Sequence, residues 1–277
     1  MSSKVIQRQE EILDCLSSQR VLSVKQLAAN FHVSIETIRK DLAALSAKDL
    51  VVRVHGGVGL SNAVPNSFNN QVRLHQQEKK TIADLAIRFV KPHTSIMIED
   101  GSTGYAFAQT LLQAKPDLLS TLTIITNSFS ICDLFGMGAV CEWLFFLGGL
   151  CDSGRKATLG HYASQQLSAF HAQQLFIAPA GISPALQVVA WSTCDAAFQI
   201  EAIKNADEKI LMTDSTKFLS TGWLNVAPLE TFDHIVTDMD ATHPMVEQML
   251  RKNLPVYLPG REMDGEPERK AKQEHRK

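Results

Sequence analysis

Thr37, Arg39 and Lys40 fall within one turn of a segment with helical periodicity, and together they can read nucleic acid. Arg and Lys reach phosphate oxygens or guanine edges, and a threonine hydroxyl serves backbone or base. The neighbouring Glu36 can accept from cytosine N4. A second group of residues suits a small anion. Asp100-Gly101-Ser102-Thr103, Thr126-Asn127-Ser128, Gly148-Gly149 and the Lys217 of Asp214-Ser215-Thr216-Lys217-Phe218 each follow an apolar, strand-like run. Backbone N–H groups, hydroxyls and a lysine in such loops can surround a phosphate. Taken singly, each loop also serves as an ordinary strand-to-helix turn, and Lys217 as a solvated side chain.

The first set needs a rigid frame. Ile6, Ile12, Leu13 and Leu16 recur at helical spacing and predict a helix over 5–17. A second helix is expected over 24–31, with Leu27, Ala28 and Phe31 on one face. After the break at His32-Val33, Ser34 is a good N-cap for a third helix over 35–47. Ile35, Ile38, Leu42 and Leu45 form its apolar stripe, with Lys40 opposite and Arg39 on the flank. A tight helix pair with small, hydroxyl and cationic groups facing outward fits a major groove. The alternation from Leu50 to Val58 predicts a strand, and Gly56-Gly57 a hairpin turn. Such a wing would carry Arg53 and His55 to the DNA backbone or minor groove. Three short helices and a hairpin also occur in bundles that bind no DNA, so the pattern leaves both readings open.

The charge distribution agrees with a DNA-facing head. Residues 1–60 hold 8 Lys/Arg against 6 Asp/Glu, whereas 61–260 hold 13 against 18. A mildly basic head on an acidic body is expected if only the head meets phosphates. The five cysteines (Cys15, Cys132, Cys141, Cys151, Cys194) include no C-x-x-C, and the nine histidines no H-x-x-x-H. Reduced thiols are expected, with no metal site and no cofactor. The most apolar run, 140–150, contains Glu142 and is too short to span a bilayer. With no signal-peptide pattern, a cytoplasmic protein is expected.

The second set needs a sheet. Strands are predicted at 94–99, 121–126, 142–147, 174–179, 208–213, 233–237 and 254–258. Helices are predicted at 78–90, 104–114, 128–135, 157–171, 195–206 and 243–253. Strands alternating with helices predict an α/β domain built on a mostly parallel sheet, with ligands beyond the carboxyl ends of the strands. The domains expected are 1–60, a linker at 61–75 rich in Asn, Ser and Pro, the body at 76–260, and a charged tail at 261–277 without fixed structure.

The residues themselves carry a resemblance. Val33-Ser34, Thr37-Ile38-Arg39-Lys40-Asp41-Leu42, Leu45, Arg53 and His55-Gly56-Gly57 closely resemble the helix-turn-helix signature of the DeoR family of bacterial sugar-metabolism repressors. Lys40 replaces the usual second Arg, Asp49 a Gly and Val58 an Ala. In the body, 100–103, 126–128, 147–149, Phe176 to Ile182 and 214–218 stand in the family's order. They resemble its effector domain, which is similar to ribose-5-phosphate isomerase. The resemblance implies a winged helix-turn-helix that binds double-stranded operator DNA, no catalysis, a homo-oligomer, and release by a phosphorylated sugar. It implies DNA contacts at Ser34, Glu36, Thr37, Arg39, Lys40, Arg53 and His55. Effector contacts are implied at Asp100, Gly101, Ser102, Thr103, Thr126, Asn127, Ser128, Gly148, Gly149 and Lys217. Four departures stand out: Gly104 in place of a Thr, Gln at 173 or 174 in place of an Asp, Ala178-Pro179 near a usual Gly, and an unusual stretch from Leu186 to Cys194. They keep two alternatives in view. One is an isomerase-like enzyme with an accessory head, using Asp100, Asp195, Glu201 or Asp214 as base. The other is a DNA-bound scaffold whose ligand site has decayed.

Overall fold

The computed structural model describes residues 3–19, 21–47, 50–54, 56–60, 68–136, 138, 140–220 and 222–260. His55, the 61–67 part of the expected linker and the whole 261–277 tail lie outside the described residues.

The head has three helices, Ser3–Gln19, Val24–Asn30 and Ile35–Ser46, and a three-stranded antiparallel sheet. The expected hairpin is present as Val51–Val54 and Gly57–Leu60, and a short strand Val21–Leu22 pairs with its second arm. The two glycines have different reasons. Gly56 takes φ +91° at the turn. Gly57 is small because a Cβ there would sit 2.3 Å from the Leu22 carbonyl oxygen. Ile12, Leu16, Leu27, Ile38, Leu42 and Leu45 fill the core, but Ile35, expected in that stripe, is exposed because it opens the helix. Asp41 takes a core position instead. It is 3% exposed and accepts from Arg8 Nε at 2.6 Å and Gln9 Nε2 at 3.1 Å. This buried ion pair ties the third helix to the first, and such a pair is costly to break from one side.

The body is built on a seven-stranded parallel sheet. Its strands run, in spatial order, Val256–Tyr257, His234–Thr237, Ala206–Thr213, Ala172–Ile177, Ser95–Ile98, Thr123–Thr126 and Trp143–Phe146. The chain starts at Ser95–Ile98, moves outward to Trp143–Phe146, and returns to lay Ala172–Ile177 on the other side of its starting strand. The direction of winding therefore reverses between Ser95–Ile98 and Ala172–Ile177. In open α/β sheets the strand ends diverge at such a point and leave a crevice.

Side chains alternate across the sheet with period two. Ile96 and Ile98 pack with Phe107 and Ile131 under the helices Gln76–Ala86, Ser102–Ala114 and Phe129–Gly136. Met97, Leu175 and Ile177 pack on the other face with Phe198, Val246 and the helices His161–Leu167, Thr193–Lys204 and Pro244–Arg251. Among the described residues no helix is long and apolar enough to cross a membrane.

Two expectations are corrected, and the unusual stretch is placed. Residues 157–171 are a strand, Ala157–Leu159, followed by the helix His161–Leu167, and the strand pairs antiparallel with Leu150–Asp152. The unusual stretch near 186–194 belongs to a small antiparallel lobe of Gly181–Ile182, Gln187–Ala190 and Leu224–Pro228. Within the expected linker, Phe68–Arg73 is helical. Phe68 buries its ring edge-on against Tyr105, 5.2 Å between centroids.

At the opposite, amino-terminal edge of the sheet lies Gln174, one of the two glutamines at the place of the usual Asp. Its amide donates to the Phe89 carbonyl and to Glu208, both at 2.7 Å, and accepts from the Lys91 N–H at 3.1 Å. Glu208 also meets Lys91 Nζ at 2.7 Å and His234 Nε2 at 2.9 Å. Burial opposes its charge, but the bonds from His234, Lys91 and Gln174 outweigh burial and lower its pKa from 4.5 to about 2. A depressed carboxylate stabilises the fold above its unfolded pKa and loses that contribution as pH falls through the folded value. Glu208→Gln should therefore be less stable than the native chain to urea near neutral pH. The difference should close as pH drops from about 4.5 to about 2. A gap that does not change with pH would show that Glu208 acts through packing alone.

Candidate functional site

Two sites follow from this frame. In the head, the Ser34 hydroxyl accepts from the Thr37 N–H at 3.1 Å and lies 2.8 Å from the Thr37 hydroxyl, which fixes the start of the third helix. Glu36, Arg39 and Lys40 are exposed beyond it. Glu36 approaches Arg39 at 3.7 Å, a solvated contact of little energetic consequence. Arg39 and Arg53 line the same groove of about 560 Å³ between this helix and the hairpin, with Ala43 and Val52 between them. The structure thus brings Arg39 and Arg53 onto one concave surface, while Lys40 does not line it. A duplex backbone entering it would meet positive charge from both walls.

In the body, the candidate effector loops all lie at the carboxyl ends of strands, spread across the sheet on both sides of the switch point, and they do different jobs. Gly101 takes φ +114° and caps the helix Ser102–Ala114 without any side-chain bond to its first N–H groups. Those donors, with the hydroxyls of Ser102 and Thr103, have no side-chain partner among the described residues. This is the free part of the cradle. Asn127 is consumed. Its carbonyl accepts from the Asp100 N–H at 2.9 Å, and its amide donates to Asp100 Oδ1 at 2.8 Å and the Thr158 carbonyl at 3.0 Å. The Thr126 hydroxyl accepts from the Ser128 N–H, and the Ser128 hydroxyl from the Ile131 N–H. These three residues are fully buried and build the loop.

Gly149 is small because a Cβ would meet the Leu159 carbonyl oxygen at 2.8 Å and Ala163 at 3.0 Å, so the chain's own hairpin and helix make the close approach. Gly148 exchanges two hydrogen bonds with the Gln166 amide. Lys217 ends the short helical turn Ser215–Lys217 and has no ion-pair partner among the described residues. It lies one strand beyond Ala172–Ile177 from the cradle, and Gly148-Gly149 lie one strand beyond Thr123–Thr126 on the other side.

The residue that joins these parts has no sequence motif. Arg155, in the turn of the Leu150–Asp152 and Ala157–Leu159 hairpin, donates to Asp100 Oδ2 from Nε at 3.2 Å and Nη2 at 2.9 Å. Its Nη1 meets Asp195 Oδ1 at 2.5 Å. Burial works against the guanidinium charge, and the two carboxylates overcome it and raise its pKa. Next to this cluster, Glu99 is enclosed. Burial first, and the Asp100 charge second, push its pKa well above the usual carboxylate range. It accepts from Gln199 Nε2 at 2.8 Å and from the Ala178 N–H at 3.3 Å, which crosses the switch point. Gln199 Oε1 is buried and has no hydrogen-bond partner among the described residues. Asp195 is legible in the sequence only as a candidate base, not as a partner of an arginine. Arg155 lies 55 residues from Asp100, and no local pattern marks it.

Gly104 also finds its reason here. A Cβ at that position would lie 2.5 Å from the Glu99 carbonyl oxygen. The helix approaches the strand end so closely that the usual Thr has no room.

Two family comparisons decide the classification. The DeoR C terminal sensor domain matches residues 74–239, and the DeoR-like helix-turn-helix domain matches residues 8–64. The chain belongs to the DeoR family. Relatives include the lactose phosphotransferase system repressor of Lactococcus lactis subsp. lactis, 29% identical over 244 residues that cover 87% of this chain and 94% of that one. The HTH-type transcriptional regulator YgbI of Escherichia coli (strain K12) is 27% identical, covering 91% and 97%. The HTH-type transcriptional repressor GlcR of Bacillus subtilis (strain 168) is 27% identical, covering 82% and 86%. Among solved structures, ribose 5-phosphate isomerase A of Methanocaldococcus jannaschii aligns with 52% of this chain and 54% of its own, at TM-score 0.37 and 19% identity.

Two outcomes are expected. Arg39→Ala should lose about 1–3 kcal/mol of discrimination between operator and scrambled DNA. Lys40→Ala and Arg53→Ala should weaken binding to all sequences and each lower the salt slope by about one. Native-like affinity for all three across a salt titration would remove this surface from the DNA interface. In the DeoR sensor domain here, Gly104→Thr should destabilise rather than restore the family's loop, by about 1–3 kcal/mol in urea unfolding. Unchanged stability would mean that the helix can move off the Glu99 carbonyl at no cost.

Proposed function

We propose that this protein is a ligand-released transcriptional repressor of carbohydrate genes acting in the cytoplasm. The head holds double-stranded operator DNA through Ser34, Glu36, Thr37, Arg39, Lys40, Arg53 and His55. The body binds a phosphorylated sugar, and binding weakens the grip of the heads. One observation carries the sensor reading: a helix start capped by Gly101, with Ser102 and Thr103 in its first turn, follows Ser95–Ile98, one of the two strands between which the winding reverses. Helix N-termini with unsatisfied N–H groups favour anions. Lys217 supplies positive charge from the carboxyl end of Ala206–Thr213, two strands from Ser95–Ile98. Relatives named as repressors of a lactose phosphotransferase system and of an aga operon support a carbohydrate role.

The chain acts as a homo-oligomer with at least two heads, since one short helix offers few base contacts and paired half-sites multiply them. The isomerase-like alternative is disfavoured by how the carboxylates are used. Asp100 and Asp195 are both paired with Arg155, Asp214 caps the Thr216 N–H at 3.0 Å, and Glu201 accepts from Asn205 at 2.8 Å. A cation or an N–H donor beside a carboxylate favours its charged form and makes it a weaker base toward a substrate proton.

The test uses the full chain, an operator selected from random DNA, and a panel of sugar phosphates. One compound should bind in calorimetry, bind more weakly to Lys217→Ala, and lower operator affinity about 5- to 150-fold, a coupling of about 1–3 kcal/mol. The operator complex should contain an even number of chains by light scattering. If every compound fails to bind, the scaffold reading replaces this one, and turnover of any of them would establish the enzyme.

A further inference from the structure

The hairpin turn at 153–156 touches the candidate sensor site and the start of the body at the same time. On one side Arg155 is held by Asp100, the residue before the Gly101 cap, and by Asp195 at the start of the helix Thr193–Lys204. On another side the Lys156 carbonyl accepts from the Phe129 N–H at 2.8 Å, just past the 126–128 loop. On a third side the Gly154 carbonyl accepts from the Phe68 N–H at 2.8 Å, and Lys156 Nζ lies 5.5 Å from the centre of the Phe68 ring. Phe68 opens the helix Phe68–Arg73 and directly follows the 61–67 segment that joins the body to the head. The same ring packs on Tyr105, in the first turn of the helix whose start forms the cradle.

Chemistry makes this turn a poor place for idle contacts. Arg155 sits in a two-carboxylate clamp with Asp100, the residue before the Gly101 cap, so an anion at that helix start would disturb the charge balance that holds the clamp. Any change in how Arg155 divides its five donors moves a four-residue turn, since both of its neighbours bond elsewhere through main-chain carbonyls. Lys156 takes φ +53°, a left-handed conformation that a lysine rarely adopts. The turn is therefore set by its surroundings, and it holds its shape only while they hold theirs. The first N–H groups of a helix have no acceptor within the helix, so the Gly154 carbonyl is what occupies Phe68.

We propose that the 153–156 turn is the link that carries occupancy of the anion cradle to the segment leading to the DNA-binding head, with Arg155 as its positioning residue on the sensor side and Phe68 as its contact on the linker side. The proposal rests on the sensor reading above. It extends that reading by naming the element whose two arrangements the effector and the operator would bias in opposite directions.

The test is residue-resolved hydrogen exchange on the full chain, in two arms. The first needs no ligand. Arg155→Gln releases the clamp and should speed exchange of the Phe68 amide about tenfold. Asp195→Asn, which keeps size and shape, should act in the same direction. Amides of Ser95–Ile98 should stay at their native rates in both variants, which marks the change as local rather than global unfolding. The second arm adds inorganic phosphate, with its binding followed by calorimetry. Phosphate should alter Phe68 exchange in the native chain and leave it unaltered in Arg155→Gln. Native exchange at Phe68 in both variants overturns the link, whatever phosphate does. Phosphate that binds the native chain without changing Phe68 also overturns it, and leaves the cradle standing. Phosphate that does not bind strikes the sensor reading instead, and the first arm still decides whether the turn is coupled to Phe68.

Discussion

Arg155 bridging Asp100 and Asp195 is the interaction on which the carboxyl edge of this sheet depends. Three acids, Glu99, Asp100 and Asp195, crowd the point where the winding reverses, and the first two are almost wholly buried. Without a cation, adjacent carboxylates in a poorly solvated crevice repel one another. Asp100 is almost wholly buried, whereas the Arg155 side chain is about 31% exposed, so the pair is held in place locally while solvent screens part of its attraction. The guanidinium suits the task because its planar fork serves both carboxylates at once, which an ammonium does not. Glu99 is relieved in a different way. Burial and the Asp100 charge favour its neutral form, and Gln199 and the Ala178 N–H occupy its oxygens. The hairpin that delivers Arg155 is thus the brace of the switch point and not a decoration on it.

The frame of the body was legible because buried parallel strands are short apolar runs that end in Gly, Ser, Thr or Asn. Ser95–Ile98 before Asp100-Gly101 and Ala206–Thr213 before Asp214 show this plainly. Periodicity served equally well for the third helix of the head, whose Ser34 cap was readable from its hydroxyl alone. Antiparallel pieces were not legible. Leu150–Asp152 and Ala157–Leu159 are three residues each, shorter than any alternation that could announce them. Gln187–Ala190 pairs with Leu224–Pro228 across a helix and a strand, and the register is set by tertiary packing.

The site was legible as a set of loops but not as a division of labour. Asp100 and Asn127 have the chemistry to hold sugar hydroxyls, and the sequence gives no hint that they hold each other. Hydrogen-bonding capacity is a property of a residue type, whereas its use depends on what lies within 3 Å, and here that is a partner 27 residues away. The glycines teach the same lesson. Gly57, Gly104 and Gly149 look like conformational freedom or ligand access in one dimension. In three, each is small because a main-chain carbonyl stands where its Cβ would be.

These assignments set a physical condition on any anion bound at the cradle. A phosphate beside Asp100 would be opposed by that charge in a low-dielectric crevice, where Coulomb terms are large. Pairing with Arg155 offsets the Asp100 charge, burial disfavours charge on Glu99, and the helix start contributes about half a positive charge. Positive potential at the cradle is therefore contingent on the clamp rather than built into the loop. A ligand that draws Arg155 away exposes the very carboxylates that disfavour it, so binding and the position of the hairpin cannot be independent. That dependence is what a sensor requires: the free energy of binding must differ between two arrangements of the chain, because affinity shared equally by both moves nothing.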